Sequence, residues 1–299
     1  MRYSILAFFF LVAFPVQAQA KVNIFACEPE WGALAQEIGG EAVDVYTAST
    51  AAQNVHFLRA KPGLLSAMRQ ADLVFCNGAA LEAGWLPVLL QKAGGPDVQP
   101  GKPGHLLAAD HVKKLDVPAR IDRSMGDVHP DGNPHILLNP RNIGIIAEAL
   151  ADRLKTIDAA NRQNYDNRLN SFLRRWKPLT DEWERLGASL RGMKVVVYHT
   201  NWAYLINWLA LESTATLEPK PGIPPTASHL KAVLTAVEGH DVKAILVAPF
   251  ENPEAAEWLA GKSGIPVIRL PYTVGGSDKA GDLEGLFSET IRLLREASP

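Results

Sequence analysis

Eight histidines are spread along the 299 residues, and three of them stand where a chain can present them to a ligand. His56 falls in Gln53-Asn54-Val55-His56-Phe57, beyond an apolar run at 43–46. His135 closes Gly132-Asn133-Pro134-His135 ahead of an Asn139-Pro140 helix start. His199 ends the run Val195-Val196-Val197-Tyr198. Near neutral pH an imidazole can move a proton, activate a nucleophile or, as the neutral ring, coordinate a metal such as zinc. In open α/β sheets, ligands sit beyond the carboxyl ends of the strands, which is where His199 projects. The remaining five, His105, His111, His129, His229 and His240, lie in polar or helical contexts and read as solvated or locally hydrogen-bonded. His129 stands nearest to an exception, six residues before His135 in a loop rich in Pro and Gly.

Other chemistries find less support. Cys27 and Cys76 are the only cysteines and form no CxxC pair, so a Cys-rich zinc module is excluded. No GxSxG elbow serves a Ser hydrolase and no HExxH pair serves a zinc protease. Gly39-Gly40 and Gly275-Gly276 are isolated doublets that read as turns. Glu28 and Glu30 follow the first apolar run; they can face a cleft or simply favour a helix N-terminus. Cys27 and Cys76 each end a strand-like run. If those strands are parallel neighbours, an oxidising compartment allows a disulfide; two buried thiols are the alternative.

The elements that must position these groups are legible as an alternation. Residues 1–20 have a basic start at Arg2, an apolar run at 5–16 and a small-residue site at Ala18-Gln19-Ala20, the layout of a secretory signal peptide. Beyond it, strand-like runs at 22–26, 43–46 and 72–76 alternate with helical stretches at 31–38 and 63–69. The pattern returns with strands at 194–198, 244–248 and 267–270 and helices at 202–211, 229–238 and 253–261. That grammar argues βαβ units, parallel sheets and two α/β lobes. Between them Tyr165, Leu169, Phe172, Trp176, Leu179, Trp183, Leu186 and Leu190 alternate at spacings of four and three. One long linking helix is predicted over 158–190, capped near Asp158 and kinked at 174–177 by Pro178. The expected organisation is a leader over 1–20, a first lobe over 21–157, the linking helix, and a second lobe over 191–299, each lobe with its own core. A net charge of −2 leaves no field for nucleic acid or an anionic membrane.

Three ordered segments carry a resemblance. Gln53-Asn54-Val55-His56, followed by Lys61-Pro62 and Ala71-Asp72-Leu73-Val74-Phe75-Cys76-Asn77-Gly78, resembles the first-lobe signature of the solute-binding proteins of zinc and manganese ABC importers (cluster A-I). Asn133-Pro134-His135-Ile136-Leu137-Leu138-Asn139-Pro140 resembles that family's second ligand motif, and Tyr198-His199-Thr200-Asn201-Trp202-Ala203-Tyr204-Leu205 its third. The resemblance covers essentially the whole chain after the leader. It implies a metal site in the cleft between two lobes, with His56 and His135 from the first and His199 from the second. It also implies that the protein is no enzyme, and that it delivers a divalent ion, expected to be zinc, to a membrane permease. Imidazole suits zinc, whereas a manganese site is expected to carry more oxygen.

The chain departs from that pattern in two places. Pro271 stands about where the family has an Asp as fourth ligand, and 122–132 holds only His129 with Asp122, Asp127 and Asp131 in place of a His-rich loop. Asp278, in the Gly-flanked loop that follows, is the favoured substitute; Glu218, Glu30 or a water are the rivals. Lys21, not Cys, directly follows Ala20, so a periplasmic protein without a lipid anchor is expected, and a monomer. The competing functions are a secreted zinc hydrolase with a three-His site and a metal-binding adhesin.

Overall fold

In a computed structural model, residues 20–122 and 125–298 are described. The expected leader, Ala20 apart, lies outside them. Two four-stranded sheets, parallel throughout, make up the frame. The first contains β1 (Val22–Ala26), β2 (Val43–Thr47), β3 (Leu73–Cys76) and β4 (His105–Leu107) in the order β2-β1-β3-β4. The second contains β5 (Lys194–Val197), β6 (Glu212–Thr216), β7 (Val242–Val247) and β8 (Val267–Arg269) in the order β6-β5-β7-β8. The two lobes therefore share one topology. β3 is buried throughout and β7 nearly so, which is why both are continuous apolar runs. The edge strands β4 and β6 were not apparent in the sequence: β4 has three residues, and β6 reads Glu-Ser-Thr-Ala-Thr on a solvated edge.

Helices cover the sheets. α1 (Pro29–Gly39), α2 (Pro62–Gln70), α3 (Leu86–Ala93) and α4 (Pro140–Ile157) belong to the first sheet. α6 (Ala203–Leu209), α7 (Ala227–Val237), α8 (Glu254–Ser263) and α9 (Leu283–Glu296) follow the linking helix. That helix, α5 (Arg162–Gly187), has 26 residues and is flanked by single 3₁₀ turns at Ala159–Asn161 and Ala188–Leu190. At 1.5 Å per residue it is about 39 Å long. Pro178 sits inside it without interrupting it. Asp158 precedes the first 3₁₀ turn, and its Oδ2 accepts from the Tyr165 hydroxyl at 2.6 Å and the Asn161 amide at 2.7 Å.

The cores are not separate, contrary to expectation. Each sheet has a local cluster on its outer face, Phe25 with Met68 and Trp85 in one case and Val196 with Val233 and Leu259 in the other. The inner faces merge into a single core containing Ile24, Trp31 and Phe75 as well as Val195, Leu246 and Phe287. α5 causes the merger. It packs against α1 and α4 on one side and α9 on the other, and the Trp176 and Trp183 rings lie 5.6 and 5.2 Å from that of Phe287. β1 and β3 are adjacent, and Cys27 and Cys76 at their ends are joined in a disulfide across 4.8 Å of Cα separation. No helix among the described residues is long and apolar enough to cross a membrane.

Candidate metal centre

Each of the three histidines is held by its own backbone before any side chain is considered. His56 sits in a 3₁₀ turn, Val55–Phe57, capped by Asn54, whose Oδ1 accepts the His56 amide at 3.1 Å. The Trp85 indole donates to the Val55 carbonyl at 3.0 Å and fixes the turn to the first lobe. His135 follows Asn133, whose Oδ1 accepts the His135 amide at 3.0 Å, while Asn77 Nδ2 donates to the Pro134 carbonyl at 2.7 Å. His199 leaves the end of β5 and enters the 3₁₀ turn Thr200–Trp202. The lobes are pinned beside the site. Asn133 Nδ2 donates to the Thr200 carbonyl at 3.0 Å, and the Tyr204 hydroxyl donates to the Asn133 carbonyl at 2.9 Å.

These positions bring the three rings together. One ring nitrogen of each of His56, His135 and His199 lies within 4.8 Å of the other two. Ring centroids are 5.4 Å apart for His56 and His135, 5.9 Å for His56 and His199, and 5.4 Å for His135 and His199. Each Nδ1 faces an oxygen: Asp127 Oδ2 at 3.5 Å from His56, the Tyr272 hydroxyl at 2.6 Å from His135, and Glu218 Oε2 at 2.7 Å from His199. Nε2 of His56 and of His135 is buried and has no hydrogen-bond partner. An oxygen at Nδ1 holds the proton there and leaves the Nε2 lone pair for a metal.

The electrostatics keep the His56 and His135 rings neutral. Burial, aided by His129 and His199, pushes His56 down to about 3. Burial, with the neighbouring imidazoles, holds His135 well below its ordinary value. Unpaired imidazolium would be costly here, so the metal meets lone pairs rather than protons. The rings border a cavity of about 280 Å³ that also exposes Asp127, Glu218 and Glu251. Glu251 accepts from the Ala248 amide at 2.6 Å and Asn201 Nδ2 at 3.1 Å, and burial pushes its carboxyl up to about 8.

The proposed fourth ligands fall in different places. Asp278 is exposed and belongs to none of the metal-competent groups among the described residues. Its loop closes on itself instead: the Gly275 amide donates to Ala280 at 2.7 Å, Gly276 to Thr273 at 2.9 Å and Ala280 to Ser277 at 3.0 Å, leaving Asp278 at the tip. Glu218 spends Oε2 on His199 Nδ1 and on the Gly222 amide at 3.0 Å. Glu30 is buried in the first turn of α1, accepts from the Thr273 hydroxyl and shares a smaller cavity with His56, His135 and Tyr272; burial pushes it up to about 7. Glu28 lines the smaller cavity and occupies the N-cap position of α1 without a side-chain capping bond; its Oε2 accepts the Asn77 amide at 3.2 Å.

Of the five histidines read as solvated or locally bonded, four behave so. His105 Nδ1 lies 2.9 Å from the Val98 carbonyl, His229 Nε2 2.9 Å from that of Thr216, and His111 and His240 are exposed. His129 is the correction. Its ring is 5.1 Å from His56 and 6.5 Å from His135, and its Nε2 is buried without a partner. The signal available was Asp127-x-His129 standing close before His135. Tyr272, next to Pro271, was also missed.

A protein whose two parallel-sheet lobes, joined by one long helix, turn a buried ring of imidazoles toward each other is a solute-binding protein with a metal ion as its cargo. The chain belongs to the ZnuA family, described as the zinc-uptake complex component A, periplasmic, whose family model matches residues 24–297. It is 20% identical over 274 residues to the metal ABC transporter substrate-binding lipoprotein ScbA of Streptococcus cristatus, covering 90% of this chain and 85% of that one. It is likewise 20% identical over 245 residues to the manganese ABC transporter substrate-binding lipoprotein PsaA of Streptococcus pneumoniae, covering 80% and 76%. A crystal structure of ZnuA superposes with a TM-score of 0.75 at 22% identity, covering 92% of this chain and 99% of that one.

The chain is therefore a metal-binding substrate-binding protein of an ABC importer, working with a membrane permease and a divalent ion, and not an enzyme. The hydrolase reading is set aside. The expected absence of a lipid anchor is overturned, because these relatives are lipoproteins by name. That expectation rested on one position, the residue after Ala20, which tests a single acylation site and nothing else.

Proposed function

We propose that the chain captures zinc through Nε2 of His56, His135 and His199. The observation that carries this reading is the convergence of three imidazoles whose Nδ1 atoms all face oxygens. Nitrogen donors favour zinc over manganese, which prefers carboxylate, carbonyl and water oxygens. PsaA carries manganese in its name, so the two ions are the alternatives to separate. In this reading the first lobe, 21–157, brings His56 and His135, the second, 191–299, brings His199, and the helix over 158–190 sets the gap between them. The test is metal analysis of protein purified without added metal, then competition between zinc and manganese for the metal-free protein. Zinc displacing manganese at equal concentration supports the assignment. Preferential manganese binding, or unchanged zinc affinity in His199→Ala, overturns it.

A further inference from the structure

Three imidazoles leave one corner of a zinc tetrahedron to fill; Asp278 is exposed at a loop tip, and Glu218 has its Oε2 engaged by His199 and Gly222. A fourth imidazole stands at the same place. His129 shares a metal-competent group with His56 and Asp127, their donor atoms all within 4.8 Å of one another. Its Nε2, like those of His56 and His135, is buried with no hydrogen-bond partner. A buried ring nitrogen left unsatisfied loses the stabilisation water would give it, so three such atoms on neighbouring rings, His129 lying 5.1 Å from His56 and 6.5 Å from His135, point to a shared partner.

The loop that carries His129 is anchored across the cleft. The Asp127 amide donates to the Pro221 carbonyl of the second lobe at 2.8 Å, made possible by Gly126 at a φ of 85°. The Gly132 amide then returns to the His129 carbonyl at 3.2 Å, and Asn133 to Leu115 at 2.7 Å. On its other side the ring meets the backbone of Ala79 and Ala80, two non-glycine residues held at φ of 50° and 63°. The neighbouring acid, Asp127, has Oδ2 3.5 Å from His56 Nδ1 and a half-exposed side chain.

Resting on the three-imidazole site proposed above, we propose that His129 Nε2 is the fourth ligand, making a closed four-histidine centre with Asp127 as the outer partner of His56. Zinc–nitrogen bonds of about 2.0–2.1 Å put tetrahedral donors about 3.4 Å apart. Ligand atoms of His56, His135 and His199 lie within 4.8 Å of one another, as do those of His56 and His129, and the His129 ring is 6.5 Å from that of His135, so side-chain rotation and a loop shift close the gap. The centre holds no carboxylate, which sharpens its preference for zinc over manganese.

Zinc K-edge absorption of the protein loaded with one equivalent of zinc counts imidazoles through their outer-ring scattering. Four are expected; three with an oxygen overturn the proposal. In chelator competition, His129→Ala is expected to lose more than the about 10- to 100-fold that an outer partner's removal costs, with the metal-free unfolding midpoint unchanged and the imidazole count reduced to three. Parent-like affinity in His129→Ala, or a loss seen in Asp127→Asn but not in His129→Ala, overturns it. Failure of the underlying site reads out separately, as parent-like zinc binding in His199→Ala.

Discussion

Glu218 stands behind His199, its Oε2 2.7 Å from the ring's Nδ1, so the carboxylate fixes how that imidazole is turned. The same oxygen accepts the Gly222 amide at 3.0 Å, which fixes the carboxylate from a second direction. A carboxylate behind a metal-bound imidazole sets its tautomer and raises its basicity.

Glu218→Gln is therefore expected to weaken zinc binding by about 10- to 100-fold while leaving the number of bound imidazoles unchanged. Chelator competition measures the first and X-ray absorption the second. An unchanged affinity would remove Glu218 from the centre altogether.

The metal-free protein should respond to pH in two opposed ways. His56 lies at about 3 when folded and near 6.5 when unfolded. Between those values the unfolded chain binds more protons, so acidification below about 6.5 destabilises the fold. Glu30 and Glu251 are pushed from an ordinary value near 4.5 up to about 7 and about 8, so the folded state binds more protons across that window. Their stabilisation is fully present at low pH and is lost as pH rises through the folded values. Urea midpoints are expected to fall between pH 6.5 and 8.5, and Glu251→Gln should flatten that fall. A flat parent profile, or an equal decline in the variant, would contradict the assignment.

Phe287 ties the C-terminal helix to the linking helix, with its ring 5.6 Å from Trp176, 5.2 Å from Trp183 and 5.8 Å from Trp208. Phe287→Ala is expected to cost about 3–5 kcal/mol of stability. Because the inner core is continuous, the parent should unfold in a single calorimetric transition. Two separated transitions would show that the lobes fold independently after all.

Replacing both Cys27 and Cys76 with Ala opens a loop of 49 residues' separation. Chain entropy predicts a loss of about 4 kcal/mol for a loop of that size. Denaturant titration measures the loss. Zinc affinity should stay within a few-fold of the parent's, because neither sulfur reaches the imidazoles' cavity.

What the sequence revealed follows from burial. β1, β3, β5 and β7 are the inner strands of their sheets, so their apolar runs were unmistakable; β4 and β6 lie on edges and are short or polar. The linking helix was legible because Tyr165, Phe172, Trp176 and Trp183 face one core. His56, His135 and His199 were singled out by strand ends and by motif resemblance, and the fold brings them together. His129 and Tyr272 were not legible, since each reaches the site by a loop path that no periodicity encodes. Asp278 stands exposed at the tip of its loop, because proximity along the chain to a strand end says nothing about which way a self-closed turn points.

The Cys27–Cys76 bond joins β1 to β3 at their carboxyl ends, the crevice of the first sheet. Its counterpart in the second sheet, where β5 and β7 lead into Tyr198 and Ala248, is held by the Tyr198 amide's 3.1 Å bond to the Leu246 carbonyl and by no disulfide. Reduction therefore removes a cross-link from the first lobe's crevice and none from the second's.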